Sequence, residues 1–158
     1  MNAKIVNRKA YHLYQILETW EAGVALTGAE VKAVKSGHAD LKGSYVRIRT
    51  MSGQGNKNNA VQADLINVFI PPYSKAGVID GYEPRRTRQL LLHKREMSNL
   101  LGKLTTKGLT IVPLALYTRK RLVKVQIGLA RGKSKVDKRE DIKKRDIDRD
   151  VRRVVFRR

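Results

Sequence analysis

The 158-residue chain contains no cysteine, which excludes disulfides, thiolate zinc ligands and cysteine nucleophiles and leaves the redox compartment unread. No apolar run approaches the roughly 18 residues of a membrane span, and Met1 to Ala10 lack the apolar core of a signal peptide, so a cytoplasmic protein away from membranes is expected. Acids are scarce: 14 Asp and Glu stand against 34 Lys and Arg, a formal charge of +20. Self-repulsion of that size is tolerable mainly when a polyanion neutralises it in use, so nucleic acid is the leading partner. The charge is spread along the chain rather than gathered on one amphipathic helix, which puts an anionic membrane surface second. Hydrophobic residues make up 41%, a globular composition, and the length suits one domain with an appendage, expected as a monomer.

What is present reads as short strands with helices between them. Tyr11 to Thr19 is rich in aromatic and branched residues and predicts a strand with Leu13, Ile16 and Leu17 toward the core; Glu21-Ala22-Gly23 then turns the chain. Thr27 with Glu30 three residues on forms a capping box for a helix Gly28 to Lys35, ended by Ser36-Gly37. Tyr45 to Arg49 alternates with Arg47 and Arg49 on one face, Ala60 to Ile70 resumes a strand, and Gly53 to Asn59 joins them as a long hairpin loop. Pro71 to Arg88 reads as a surface loop displaying Arg85, Arg86 and Arg88. Met97, Leu100, Leu101 and Leu104 define an amphipathic helix over His93 to Thr105. Thr110 to Tyr117 and Leu122 to Ala130 should pair as a hairpin with a basic tip, Val123, Val125, Ile127 and Leu129 on one face and Lys124 on the other.

The fold class expected is mainly β with inserted helices: an oligonucleotide-binding type barrel over residues 1–132 and a basic tail over 133–158. From Arg131 to Arg158 there are 13 Lys and Arg against 6 acids. Within the tail Glu140 and Lys144, Asp141 and Arg145, and Asp148 and Arg152 are acid-before-base pairs at i, i+4, and Ile147, Val151, Val154 and Val155 form a narrow apolar stripe. Helices of this length are marginal alone, so the tail is expected to be largely unfolded when free and helical against an anionic surface.

Credible catalytic chemistry is missing. His12, His38 and His93 are dispersed, with no metal-ligand spacing, so no cofactor or metal is expected. Gly128 to Ser134 resembles a phosphate loop, but its first glycine is one residue too close. Asp146, Asp148 and Asp150 are surrounded by arginines and read as helix-surface charges. The basic clusters Asn7-Arg8-Lys9, Arg85-Arg86-Thr87-Arg88, Arg119-Lys120-Arg121 and Arg131-Gly132-Lys133 lie in loops or at strand ends, where they can reach phosphates; any one alone reads equally well as solvated surface. Tyr73 and Tyr82 are stacking candidates, while Tyr11, Tyr14 and Tyr45 suit the core as well. Gly23 beside Glu21 permits close backbone approach, a plain turn being the competing reading.

Five segments carry a family resemblance: Asn7-Arg-Lys-Ala10, Glu21 to Lys32, Pro84 to Glu96, Val125 to Lys133 and Asp137-Lys-Arg139. In that order, over about Asn7 to Arg145, the chain resembles the small protein B, or SsrA-binding protein, family. The resemblance implies a trans-translation factor that binds the tRNA-like domain of transfer-messenger RNA, stands where an anticodon arm would be, and meets elongation factor Tu only indirectly through the charged RNA. It implies RNA contacts at the positions of Glu21, Leu91 and Lys124. It also implies a tail that enters the empty messenger channel beside the decoding centre and 16S rRNA of a stalled ribosome. Clusters and resemblance together give an expected RNA-binding set of Asn7, Arg8, Lys9, Glu21, Gly23, Lys32, Arg86, Arg88, Leu91, Lys124, Arg131 and Lys133. The expected ribosome-contacting tail set is Asp137, Lys138, Arg139, Lys143, Lys144 and Arg145. Val136 departs from the aromatic or histidine frequent in the family, Glu83 from an aspartate, and the loop Gly53 to Asn59 is particular to this chain.

Two rival readings follow from composition. A structural protein of the small ribosomal subunit would share size, barrel and tail; an RNA-processing enzyme would need a carboxylate pair, metal cluster or nucleotide fold, none of which the sequence displays.

Overall fold

The computed structural model describes residues 4–51, 60–73, 77 and 80–155, with side chains described through residue 149. The elements run β1 (Lys4–Val6), α1 (Arg8–Leu13), β2 (Tyr14–Val24), α2 (Gly28–Lys35), β3 (Tyr45–Met51), β4 (Ala60–Ile66), β5 (Arg88–Leu91), α3 (Lys94–Leu104), β6 (Leu109–Arg119), β7 (Leu122–Gly132) and α4 (Lys135–Val155). All strand pairings are antiparallel, in the order β1-β6-β3-β4-β5-β2-β7, and the further pairing of β6 with β7 closes the sheet into a barrel. Closure leaves β1 as the added outer strand on β6 and removes the exposed edges that a small open sheet would present.

The interior follows the period-two alternation. Ala22 and Val24 of β2, Leu65 of β4, Leu90 of β5, Ile111 and Leu116 of β6, and Val125, Ile127 and Leu129 of β7 are buried together. Helix α3 closes one end, with Leu100 fully buried and Met97 and Leu104 against the same core. A fully buried Leu or Ile contributes roughly 1.5–3 kcal/mol, so this shared interior is the main source of stability. Gly128 is small because Leu114 and Ile16 lean on it: a Cβ there would sit 2.9 Å from Leu114 Cδ1 and 3.0 Å from Ile16 Cγ2.

The helices Gly28–Lys35 and Lys94–Leu104, the β3–β4 pairing and the β6–β7 hairpin form as expected. The hairpin turns through Lys120 and Arg121, both left-handed at φ 46° and 71°, the backbone of a two-residue turn that glycine or asparagine usually supplies. The loop Gly53 to Asn59 lies outside the described residues.

Three expectations near the N-terminus and one further on are corrected. Tyr11 to Leu13 are helical, because the Asn7 side chain accepts from Ala10 N at 3.1 Å and starts α1. Glu21-Ala22-Gly23 is no turn: β2 runs through it to Val24, sealed by the inward Ala22 and Val24. Leu17 is 42% exposed at a bulge between Ile16 and Glu18, which resets the alternation. The strand expected over Ala60 to Ile70 ends at Ile66, since Asn67 takes a left-handed φ of 61° and Phe69 bridges back to Asp40.

After β7 the chain enters α4 through a reciprocal cap. Ser134 N donates to the Asp137 carboxylate at 3.0 Å, and Asp137 N to the Ser134 hydroxyl at 3.1 Å. The α4 helix touches the barrel through α1, where Lys133 Nζ donates to Tyr11 O at 2.9 Å and to Asp141 at 2.5 Å. Asp141 is therefore engaged by Lys133 rather than paired with Arg145, and Arg149 sits 3.7 Å from Asp146. The Asp148 and Arg152 pair involves a side chain outside those described. Val136 and Ile147 are exposed on α4.

Candidate nucleic-acid interface

On the outer wall, Lys124 of β7 stands opposite Gly23 of β2, and Gly23 opposite Leu91 of β5. Antiparallel register thus brings together, in one row across three strands, residues up to 101 positions apart in sequence, counting 124 − 23. Gly23 fits a close approach: a Cβ at that position would lie 3.2 Å from Leu91 Cβ, a contact that Leu91 would have to yield to by a few tenths of an ångström. Leu91 is 57% exposed, an apolar side chain held out into solvent at the lip of a groove of about 450 Å³. That groove is also lined by Glu21, His93, Arg121 and Lys124.

Glu21 is the electrostatic hub of this wall. Its carboxylate accepts from the Tyr117 hydroxyl at 2.5 Å, faces Arg119 at 3.4 Å and stands 3.8 Å from Lys124 Nζ. The Tyr117 hydrogen bond, helped by the Arg119 and Lys124 charges and opposed by burial, holds the Glu21 carboxyl below its usual value. Burial, then the bond and charge of Glu21, push the Tyr117 phenol up to about 12, so it remains a donor near neutral pH. One carboxylate facing two cations leaves this corner net positive, as a polyanion requires.

The structure separates the expected set. Glu21, Gly23, Leu91 and Lys124 converge on one wall. Arg8 and Lys9 are exposed on α1 and Arg131 at the end of β7, and Lys32 is exposed on α2 with its ammonium 5.8 Å from the Tyr73 ring centroid. Lys133 is tied to Tyr11 and Asp141, and Asn7 is buried, its amide donating to Leu41 O at 3.1 Å and Pro113 O at 2.9 Å. Asn7 is a pin between α1 and the barrel, a correction to its reading as part of a phosphate-reaching cluster.

Of the three arginines expected on the Pro71 to Arg88 loop, Arg85 is exposed as expected, while Arg86 and Arg88 are corrected. Arg88 is the first residue of β5 and is fully buried; its guanidinium donates to Glu30 at 2.9 Å, Val68 O at 2.7 Å, Arg86 O at 3.0 Å and Pro84 O at 2.9 Å. Arg86 donates to both Glu30 oxygens, at 2.8 Å and 2.5 Å, and Glu30 also accepts from Thr27 N at 2.8 Å. Burial pushes the Glu30 carboxyl up, but the Arg86 and Thr27 hydrogen bonds and the Arg88 charge outweigh it and hold it below the usual range. These groups lock α2 to β5 and the preceding loop. The capping box signalled Glu30, but no local pattern marks which of four successive basic-loop positions turns inward.

Tyr82 is anchored, its hydroxyl donating to Ile70 O at 2.8 Å, whereas Tyr11 and Tyr45 are 39% and 45% exposed rather than core. On α4, Asp137, Arg139, Lys143, Lys144 and Arg145 are exposed and Lys138 half-buried. Sequence reading missed Tyr117 as a partner of Glu21: the two are 96 positions apart, and only the β2–β7–β6 register makes them neighbours. Among the described residues no group of three or more His, Asp or Glu gathers as metal ligands, and no helix is long and apolar enough to cross a membrane.

A closed antiparallel barrel with a net-basic outer wall and a cationic helical extension defines the class of small oligonucleotide-binding type barrels. Within that class the chain belongs to the SmpB protein family, whose family model matches residues 4–157. It is 48% identical over 151 residues to an SsrA-binding protein of Microcystis aeruginosa, covering 96% of this chain and 92% of that one. An SsrA-binding protein of Roseiflexus sp. is 48% identical over 149 residues, covering 94% and 88%. A solved structure described as "tmRNA-SmpB: a journey to the center of the bacterial ribosome" superposes with a TM-score of 0.64 at 45% identity, covering 84% of this chain and 85% of that one.

Proposed function

We propose that this protein binds the tRNA-like domain of transfer-messenger RNA through the β2–β5–β7 wall and delivers it to stalled ribosomes for trans-translation, without catalysing a reaction. The row Lys124, Gly23, Leu91 carries this reading, because it combines a cation for phosphate, an approach free of side chain and an apolar contact for a base or sugar. Glu21 orients the cations beside it, and Arg8, Lys9, Lys32 and Arg131 add steering charge. The relatives named SsrA-binding protein and the ribosomal tmRNA-SmpB structure support the same partner. Residues 1–132 bind this RNA in the cytoplasm, where the barrel takes the place of an anticodon arm. Residues 133–158 serve the ribosome: largely unfolded when free beyond the first turns of α4, which Lys133 and Asp141 hold to α1, they become helical in the messenger channel, where Lys138, Arg139, Lys143, Lys144 and Arg145 meet 16S rRNA and Asp137 caps the helix. Elongation factor Tu is met through the charged RNA.

The test is binding of the purified protein to a synthetic tRNA-like-domain RNA and to an unrelated stem-loop of equal length, near physiological salt. Preference for the first by tenfold or more is expected; equal affinity would overturn the reading.

A further inference from the structure

We propose that Tyr117 is a positioning residue for RNA recognition: its hydroxyl fixes the Glu21 carboxylate so that Lys124 and Arg119 are oriented yet left free to meet phosphate. The inference rests on the RNA-binding reading above. Tyr117 stands opposite Lys124 across the β6–β7 pairing, and Lys124 opposite Gly23 across β7–β2, so Glu21 reaches diagonally over β7 to the phenol. The hydroxyl takes the close position on the carboxylate, at 2.5 Å. The two cations are held more loosely: Arg119 Nη1 donates to both Glu21 oxygens at a long 3.4 Å, and Lys124 Nζ stands 3.8 Å away, beyond hydrogen-bond reach. Lys124 therefore keeps its ammonium donors for a ligand while the carboxylate field sets its direction. Without the hydroxyl, the half-exposed Glu21 side chain is free to tighten its loose ion pairs with Lys124 and Arg119, which RNA phosphate must then break. No sequence pattern announces this role, and nothing about the barrel interior requires a hydroxyl here, since Leu116 and Thr118 flank Tyr117 and the core is filled by Leu116.

The experiment measures binding of a synthetic tRNA-like-domain RNA to the full chain and to Tyr117→Phe, Glu21→Gln, the double variant and Lys124→Ala across a salt series, with thermal melts confirming each fold. Tyr117→Phe should weaken binding about tenfold, the order of one hydrogen bond to a charged group, while leaving the salt slope unchanged because no cation is lost. Lys124→Ala should lower that slope by about 0.9. Combined with Glu21→Gln, Tyr117→Phe should add no further loss. Affinity of Tyr117→Phe within twofold of the parent, with Glu21→Gln weakened, overturns the positioning role alone. Losses that add in the double variant overturn it too, by making Tyr117 a direct RNA contact. If Glu21→Gln and Lys124→Ala both bind as the parent does, the RNA wall itself is misplaced and the inference falls with it.

Discussion

Replacing Glu30 by alanine should destabilise the fold more than any surface change, because it strands a buried cation. Arg88 is 0% exposed, and Glu30 is the carboxylate on its guanidinium, at 2.9 Å. Removing one partner of a buried ion pair costs about 3–5 kcal/mol, and loss of the Thr27 N bond that closes the capping box adds roughly 0.5–1.5 kcal/mol. For a chain of this length about 2–4 °C accompanies each kcal/mol, so the pair alone corresponds to a fall in Tm of about 6–20 °C. Urea and thermal unfolding followed by circular dichroism measure it, with Arg86→Ala as the comparison: that side chain is 34% exposed, and its loss leaves the Arg88 pair in place. Loss of less than about 1 kcal/mol in Glu30→Ala would refute the argument that this network, rather than apolar packing alone, locks α2 to β5. The acid limb gives a second reading. The folded Glu30 carboxyl lies below its ordinary value of 4.5, so the folded state favours its charge; that stability is present above 4.5 and lost as pH falls through the lowered folded value. Glu30→Gln should lack this part of the acid dependence.

Gly128→Ala should cost about 1–3 kcal/mol, since its Cβ meets Leu114 and Ile16 inside normal contact distance, and a melt indistinguishable from the parent would show that those side chains yield freely. Lys124→Ala should leave the melt unchanged while weakening RNA binding about tenfold, read by filter binding; full affinity would remove Lys124 from the interface. Deleting residues 138–158 should spare affinity for tRNA-like-domain RNA and abolish tagging of stalled nascent chains, and a large loss of RNA affinity would place the tail in the primary site instead. Asp141→Asn should release the first turns of α4 from α1, seen as faster amide exchange across residues 135–142, and unchanged exchange would show that the Lys133 contact does not hold the helix.

Much of this was legible in the chain because it depends on near neighbours. Net charge, the absence of cysteine chemistry, the Thr27–Glu30 capping box, the apolar stripe of α3 and the alternation of Val123 to Leu129 are properties of local composition and period, and each appears where the sequence puts it. The short helix α1 was missed although its signal was local, because Asn7 was read for charge with Arg8 and Lys9 rather than as a cap for Ala10. What only the tertiary structure decided is pairing at long range. Arg86 and Arg88 look the same in sequence as Arg85, yet burial beside Glu30 makes Arg88 structural while Arg85 stays at the surface, a choice set by where folding brings Glu30 of α2 against the start of β5. Gly23 read as a turn and is a strand residue, because Leu91, 68 positions on, lies against it when β2 and β5 pair. The partnership of Glu21 with Tyr117, Arg119 and Lys124 exists only after the barrel closes, since hydrogen bonds and ion pairs act over a few ångströms and the chain brings those groups that near only by folding.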